Sequence, residues 1–183
     1  MSIHPNLGDL LEFRLETERL LLVPIDMDYA EDIFDEFTDE ITQYMYPGTP
    51  RRIQETEEFI RESLIGLDRG NNLQLVILRK KTEEFLGCAG IHNLDSRFPE
   101  LGIWLKLSAH GESLGMETIA ALVEWANEHV DYNYLKYPVD VRNYPSRKIP
   151  EALDGVPEHS YWIRSRNGIE LEILEYRIYP PEG

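Results

Sequence analysis

The sequence predicts an α/β fold carried by one mixed sheet. Three observations predict it. Seven apolar runs of strand length are interleaved with four stretches of helical period. Their order is strand, two helices, three strands, helix, strand, helix, two strands, which is not the regular alternation of an all-parallel sheet. One run, residues 135–141, contains Pro138, and a fully paired central strand does not tolerate proline.

Taken in order, residues up to Thr17 read as an irregular arm at the start of a single domain spanning 1–183. Residues 19–25 (RLLLVPI) form a strand. Residues 28–37 form a short acidic helix with Ala30, Ile33, Phe34 and Phe37 at helical spacing. Residues 44–50 (YMYPGTP) break regular structure. Residues 56–67 are a second helix with Phe59, Ile60 and Leu64 as its stripe, closed by Gly70. Residues 73–79 and 84–91 are strands joined by the charged turn 80–83, hence a hairpin. The next strand is 100–106. The longest helix, 114–130, carries Ile119, Leu122, Val123, Ala126 and Val130 on one face. After the strand 135–141 and a helical stretch 145–153, a hairpin of 161–165 and 171–179 closes around Asn167-Gly168. Pro138 fits where neighbouring strands diverge, so a gap is expected between its strand and the one ending at Lys106.

The chain has 183 residues, enough for a sizeable core. Its net charge of -16 repels nucleic acid and anionic membranes. The same charge favours cationic partners, or serves solubility alone. A single cysteine, Cys88, excludes an internal disulfide and fits a reducing compartment. No secretory segment opens the chain and no run is apolar enough to span a bilayer, so the cytoplasm is the expected location. No spacing of His, Cys and Asp matches a metal site.

The stretch 99–115 (PELGIWLKLSAHGESLG) is a strand, a polar turn, a glycine-flanked loop and a helix start. Such a junction aims several backbone N–H groups and a helix dipole at one spot, a ready site for phosphate. Three further matches accompany it: Leu20 to Pro24 after Glu16-Thr17-Glu18-Arg19, the strand Glu100-Leu101-Gly102-Ile103-Trp104-Leu105, and Asn143, Ser146 and Leu153 on one helix. Together with the element order, these resemble the GNAT (Gcn5-related) N-acetyltransferases over residues 15–179. The branch most similar holds the ribosomal-protein N-terminal acetyltransferases and their small-molecule relatives.

The resemblance implies a mostly antiparallel sheet splayed between the fourth and fifth strands, and direct acetyl transfer from acetyl-CoA to an amine in a ternary complex, without a metal. It implies a bulged central strand whose free backbone groups, at Ile103, Trp104 and Leu105, receive the pantetheine arm. The loop His110, Gly111, Glu112, Ser113, Leu114 and Gly115 would hold the pyrophosphate. Ser113 stands where the family has glycine, which is compatible with binding at negative φ and weakens it at positive φ. Glu112 would repel phosphate unless it points away. On the residues alone, Glu112 and Ser113 equally well cap and charge a helix start. Asn143 would tether the coenzyme, or cap the helix after it. Lys148, with Arg147, would meet the adenosine 3′-phosphate.

An acceptor amine must lose a proton, because amines titrate near 8 to 10.4. Glu100 is the best candidate base, with Glu172 and Glu175 as weaker ones; their odd spacing puts them on opposite strand faces. Ser146 is the candidate donor to the departing thiolate. The tyrosine many relatives place further along that helix is Pro150 here, which should kink or shorten the helix. Tyr134, Tyr137 and Tyr161 are the available substitutes, with none selected by spacing. Tyr44, Tyr46 and Tyr161, with Met45, Trp162 and the acidic Asp35, Glu36, Asp39 and Glu40, make an aromatic and acidic rim suited to a cationic amine. The resemblance leaves a homodimer open. The competing reading is a non-catalytic module on the same fold that binds coenzyme A or a protein.

Overall fold

The computed structural model describes residues 8–182. Eight strands make one sheet in the order β1-β2-β3-β4-β5-β6-β8-β7. They are β1 (Leu15–Glu16), β2 (Leu20–Pro24), β3 (Leu73–Arg79), β4 (Phe85–His92), β5 (Glu100–Leu105), β6 (Leu135–Asp140), β7 (Val156–Arg164) and β8 (Glu170–Ile178). All neighbours pair antiparallel except β5 and β6, which are parallel. The helices are α1 (Ala30–Glu36), α2 (Asp39–Thr42), α3 (Ile53–Arg69), α4 (Leu114–His129) and α5 (Tyr144–Ala152).

The two faces of the sheet are told apart on β5. Trp104 meets Phe37 at the end of α1, ring centroids 4.8 Å apart. Ile103 and Leu105 point the other way, toward α4: a Cβ on Gly115 would stand 3.8 Å from each of their Cδ1 atoms and 3.1 Å from Ile149 of α5. So α1 belongs to one face and α4 and α5 to the other. Leu22, Leu75, Ile77, Leu86, Ile119 and Leu122 are fully buried between the layers. Their burial is the main stabilising term, at about 1.5–3 kcal/mol per side chain.

The arm is less irregular than the sequence predicts. Asp9 caps a 3-10 turn at Leu10–Glu12, Leu10 is buried, and β1 pairs with β2 through Leu15 and Leu22. Residues 1–7 of the expected arm lie outside the described residues. On α3, Phe59 faces solvent; the buried face is Thr56, Ile60, Ser63 and Leu67. Two small polar side chains let α3 sit close to the sheet, which apolar periodicity alone does not reveal. Gly70 closes α3 with φ +75, as expected of a left-handed cap. The strand β7 begins at Val156 rather than 161. It is an edge strand, exposed along most of its length, so no buried face marks where it starts.

Candidate active site

The sheet opens between β5 and β6. The two strands share one pairing, Glu100 with Lys136, where the Lys136 N–H donates to the Pro99 carbonyl at 2.8 Å. Residue 138 aims its nitrogen in the same direction, and there it is a proline with no hydrogen to offer. Its other edge is spent on β8, opposite Glu175. Pro138 thus stands on the gap side, as its sequence position predicts.

The register of β5 decides which of its amides are free. Lys106 N–H donates to Leu86 O at 2.8 Å, and Trp104 pairs with Cys88 in the same ladder. Alternation then turns the Trp104 amide toward β4 and the Ile103 and Leu105 amides into the gap. Of the three expected groups, two face the opening. The expected bulge in β5 is absent: its register with β4 is unbroken from Leu105 to Glu100. The one irregularity of β4 lies on its other side, between Ile77 and Leu78 of β3. The opening is made by β6 leaving, not by β5 buckling.

The loop after β5 points into the same opening. His110 Nε2 lies 2.9 Å from the Leu105 carbonyl; a carbonyl only accepts, so this nitrogen carries the proton. Gly111 has φ +86. Ser113 has φ +60 and ψ +26, the left-handed conformation, and its hydroxyl makes no capping bond to α4. Of the two conformations open to Ser113, the structure has the positive φ, the one in which serine is costlier than glycine; the reading of Ser113 as an ordinary side-chain cap is overturned. A left-handed residue before Leu114 and Gly115 is what turns the chain sharply enough to leave the first amides of α4 open. Glu112 does not plug the gap: its carboxylate lies 3.4 Å from Arg79 Nη2 of β3.

Five residues brace this loop, and sequence reasoning missed the bracing. Arg19 donates to the Glu112 carbonyl at 2.9 Å and to Glu117 Oε1 at 2.7 Å, while Thr17 Oγ1 also donates to Glu117. With the Arg79–Glu112 pair, these bonds fasten β2, β3 and the first turn of α4 together. The one available signal was that Thr17 and Arg19 lie in the opening motif itself.

On the face of Trp104, β5, β6 and β8 bring Glu100, Lys136 and Glu175 together. Burial raises the Glu100 pKa, the Lys136 charge works against it and the Glu175 charge adds to it. Glu175 is already satisfied by Arg177 Nε at 2.9 Å and stands 3.9 Å from Lys136 Nζ. Glu172 falls on the opposite face, one pleat away. On the other face, Tyr137 OH and Ser146 Oγ are 2.7 Å apart. Asn143 caps α5, its Oδ1 accepting from Ser146 N at 3.4 Å. Pro150 sits inside α5, which ends at Ala152, so the helix is short as predicted. Arg147 is turned away onto Val141 O at 2.9 Å and the Tyr176 hydroxyl at 3.3 Å, whereas Lys148 is exposed.

The profile of the acetyltransferase (GNAT) domain matches residues 19–156, which contain the opening, the loop and α5. The chain belongs to the GNAT acetyltransferase family. Solved structures agree on the fold. RimL, a ribosomal L7/L12 α-N-protein acetyltransferase in complex with coenzyme A, superposes with TM-score 0.79 at 15% identity, covering 92% of this chain and 98% of that one. The microcin C7 self-immunity acetyltransferase MccE, in complex with acetyl-CoA and AMP, gives 0.78 at 17% identity, covering 89% and 93%. A Vibrio cholerae structure provisionally described as a ribosomal-protein-serine acetyltransferase gives 0.77 at 20% identity, covering 93% and 99%. No curated protein sequence matches the chain.

In this GNAT acetyltransferase the loop that carries Tyr44 and Tyr46 is pinned to the β7–β8 turn. Asn167 at the β7–β8 turn accepts from Thr49 N at 3.2 Å and donates to Thr42 Oγ1 at 3.1 Å, and Arg166 N donates to Tyr46 O at 2.9 Å. Tyr44 and Tyr46 lie on that pinned loop, but each ring already carries a guanidinium, Arg142 at 4.9 Å and Arg166 at 5.8 Å. Arg142 is held there by Asp140: burial opposes the Asp140 charge, but the two-pronged Arg142 side-chain bond at 2.8 and 2.9 Å, the backbone N–H bonds and the Arg142 charge together keep the carboxyl below its usual range. Tyr161 is half-buried; burial raises its pKa, and the charges of Glu100 and Glu175 add to the rise. Of the three expected acceptor tyrosines, Tyr161 is the one that shares the carboxylate cluster.

Proposed function

We propose that this acetyltransferase moves the acetyl group of acetyl-CoA onto a primary amine, a protein N-terminus or a small cationic amine, by direct attack in a ternary complex. The observation that carries the reading is the parted pair β5 and β6, joined only at Glu100 and Lys136 and lined by the amides of Ile103 and Leu105. Those amides fit an extended pantetheine arm as the missing strand would. The left-handed Gly111 and Ser113, braced by Arg19, fit a pyrophosphate against the start of α4. Leu114 is buried beneath that loop, and Gly115 leaves room where Ile149 comes close.

Acetyl-CoA supplies an activated thioester. The Ile103 N–H, the first free amide past the join, is placed to receive the charge that develops on the acetyl oxygen. Glu100, with its raised pKa and no hydrogen-bond partner among the described residues, takes the amine proton directly or through water. Ser146 holds the departing thiolate, and Asn143 and Lys148 serve the coenzyme from the same helix. Glu100, Glu175 and Tyr161 favour a cation on the acceptor side. A cytoplasmic location belongs to the same proposal; no described helix is long and apolar enough to cross a membrane, and Cys88 is a free, buried thiol.

The test has two stages. Acetyl-CoA should raise the melting temperature in a concentration-dependent way. Thiol release should then appear with at least one of a free-N-terminus peptide panel, a polyamine and an aminoglycoside. Stabilisation without thiol release on any amine would mark a binding module instead. The absence of both stabilisation and thiol release would overturn the reading of the opening.

A further inference from the structure

The hydroxyl pair across α5 has a direction, and the direction has a use in the proposed reaction. Tyr137 lies on β6, next to Lys136 at the join with β5, and only 3% of it is exposed. A buried phenol needs an acceptor for its proton. Among the described residues that acceptor is Ser146 Oγ, at 2.7 Å. With Tyr137 donating, the Ser146 proton is free to point elsewhere. Among the described residues Ser146 Oγ has no other partner, and Asn143 Oδ1 accepts from the Ser146 backbone amide. Arg147 is a donor only, so it offers that proton no acceptor, and it is spent on Val141 O and the Tyr176 hydroxyl.

We propose that Tyr137 is the positioning residue for the leaving group, donating to Ser146 Oγ so that the Ser146 proton is directed at the coenzyme sulfur as the carbon–sulfur bond breaks. This rests on the acyl-transfer reading above. It also gives a role to a hydroxyl from β6 in a chain whose α5 carries Pro150 where relatives offer tyrosine. In the step, the amine nitrogen bonds the acetyl carbon, the C–S bond breaks, and its electron pair goes to sulfur. The acceptor nitrogen's proton goes to Glu100 and on to water; the thiolate takes one from water as it departs. Neither hydroxyl gives up its proton. Burial pushes the Tyr137 phenol up to about 12. An alkyl thiol near 8.5 is a much stronger acid. Tyr137 therefore lends a hydrogen bond, not a proton.

The test reads the bound thiol directly. The ultraviolet absorbance of coenzyme A thiolate is titrated on wild type, Y137F, S146A, S146T and the double variant Y137F/S146A. Removing the Ser146 bond should raise the bound-thiol pKa by about one unit, the usual worth of a hydrogen bond to a charge. Y137F should raise it by a smaller amount, S146T should restore most of the S146A loss, and Y137F should add nothing in the S146A background. Turnover should follow the same pattern, with kcat falling and the KM for acetyl-CoA unchanged. Coenzyme binding and turnover by wild type with no pKa shift in Y137F would overturn this inference and leave acyl transfer standing. A full Y137F effect in the S146A background would make Tyr137 a packing residue and overturn it as well. Failure of wild type to bind coenzyme A would overturn the acyl-transfer reading instead.

Discussion

Replacing Ser113 with glycine should stabilise this protein. Ser113 is left-handed, at φ +60, and its side chain makes no capping bond. An L-residue pays about 1–2 kcal/mol for that conformation. Glycine escapes the steric cost but adds about 0.4–1 kcal/mol of unfolded-chain entropy. The balance is about 0.5–1 kcal/mol in favour of S113G. For a chain of this size, 1 kcal/mol moves the melting temperature by about 2–4 °C, so a rise of about 1–4 °C is expected. The control has the opposite sign. Gly111 has φ +86, and a Cβ there would meet nothing within 4 Å, so G111A should lose about 0.5–1 kcal/mol by the same balance, with no steric clash added. Urea melts at constant m-value and scanning calorimetry measure both. S113G melting below wild type, or G111A melting with it, would refute the left-handed loop. Acetyl-CoA should stabilise S113G by at least the wild-type increment, because the amides it uses are unchanged.

Four other outcomes follow, three from the site and one from the packing of β4. E100Q should lose activity most at the pH where Glu100 is ionised and least at low pH, where the wild-type base is already partly protonated, and so should flatten the acidic limb of the pH–rate profile; a loss equal at every pH would remove Glu100 as the base. The same variant should be more stable than wild type at pH 7–8: a raised folded pKa gives stability that is complete below the unfolded value near 4.3 and lost as pH rises through the folded one. Convergence of the two melts near pH 3.5 is the check, and a less stable E100Q at pH 8 would contradict the burial of the carboxylate. N167A removes the bonds to Thr42 and Thr49 and should cost about 1–2 kcal/mol, raise the KM for the amine and leave that for acetyl-CoA alone; an unchanged amine KM would detach the 42–50 loop from acceptor binding. Burial pushes the Cys88 thiol pKa far up, so native protein should resist alkylation until denaturant is added; rapid labelling would contradict the packing of β4.

Much of the architecture is written in local patterns. Strand and helix order, the Asn167-Gly168 turn and the Gly70 cap follow from side-chain period and from the few residues that tolerate special backbone angles. Pro138 announces the gap because a missing N–H is a property of one residue. The motif residues Glu100, His110 to Gly115 and Asn143 to Ser146 lie beside the opening because each stands on, or directly after, a strand that borders it. Other features join distant residues, and no local rule reaches them. Ladder parity, not composition, chooses Ile103 and Leu105 over Trp104 as the free amides. Ser113 takes a positive φ because Arg19, Arg79 and Glu117 hold the loop from other elements. Tyr137 is distinguished from Tyr134 and Tyr161 only once α5 lies across β6 and brings Ser146 to its hydroxyl. Periodicity states which face of an element is buried; which neighbour covers it, and at what register, is settled when the layers close.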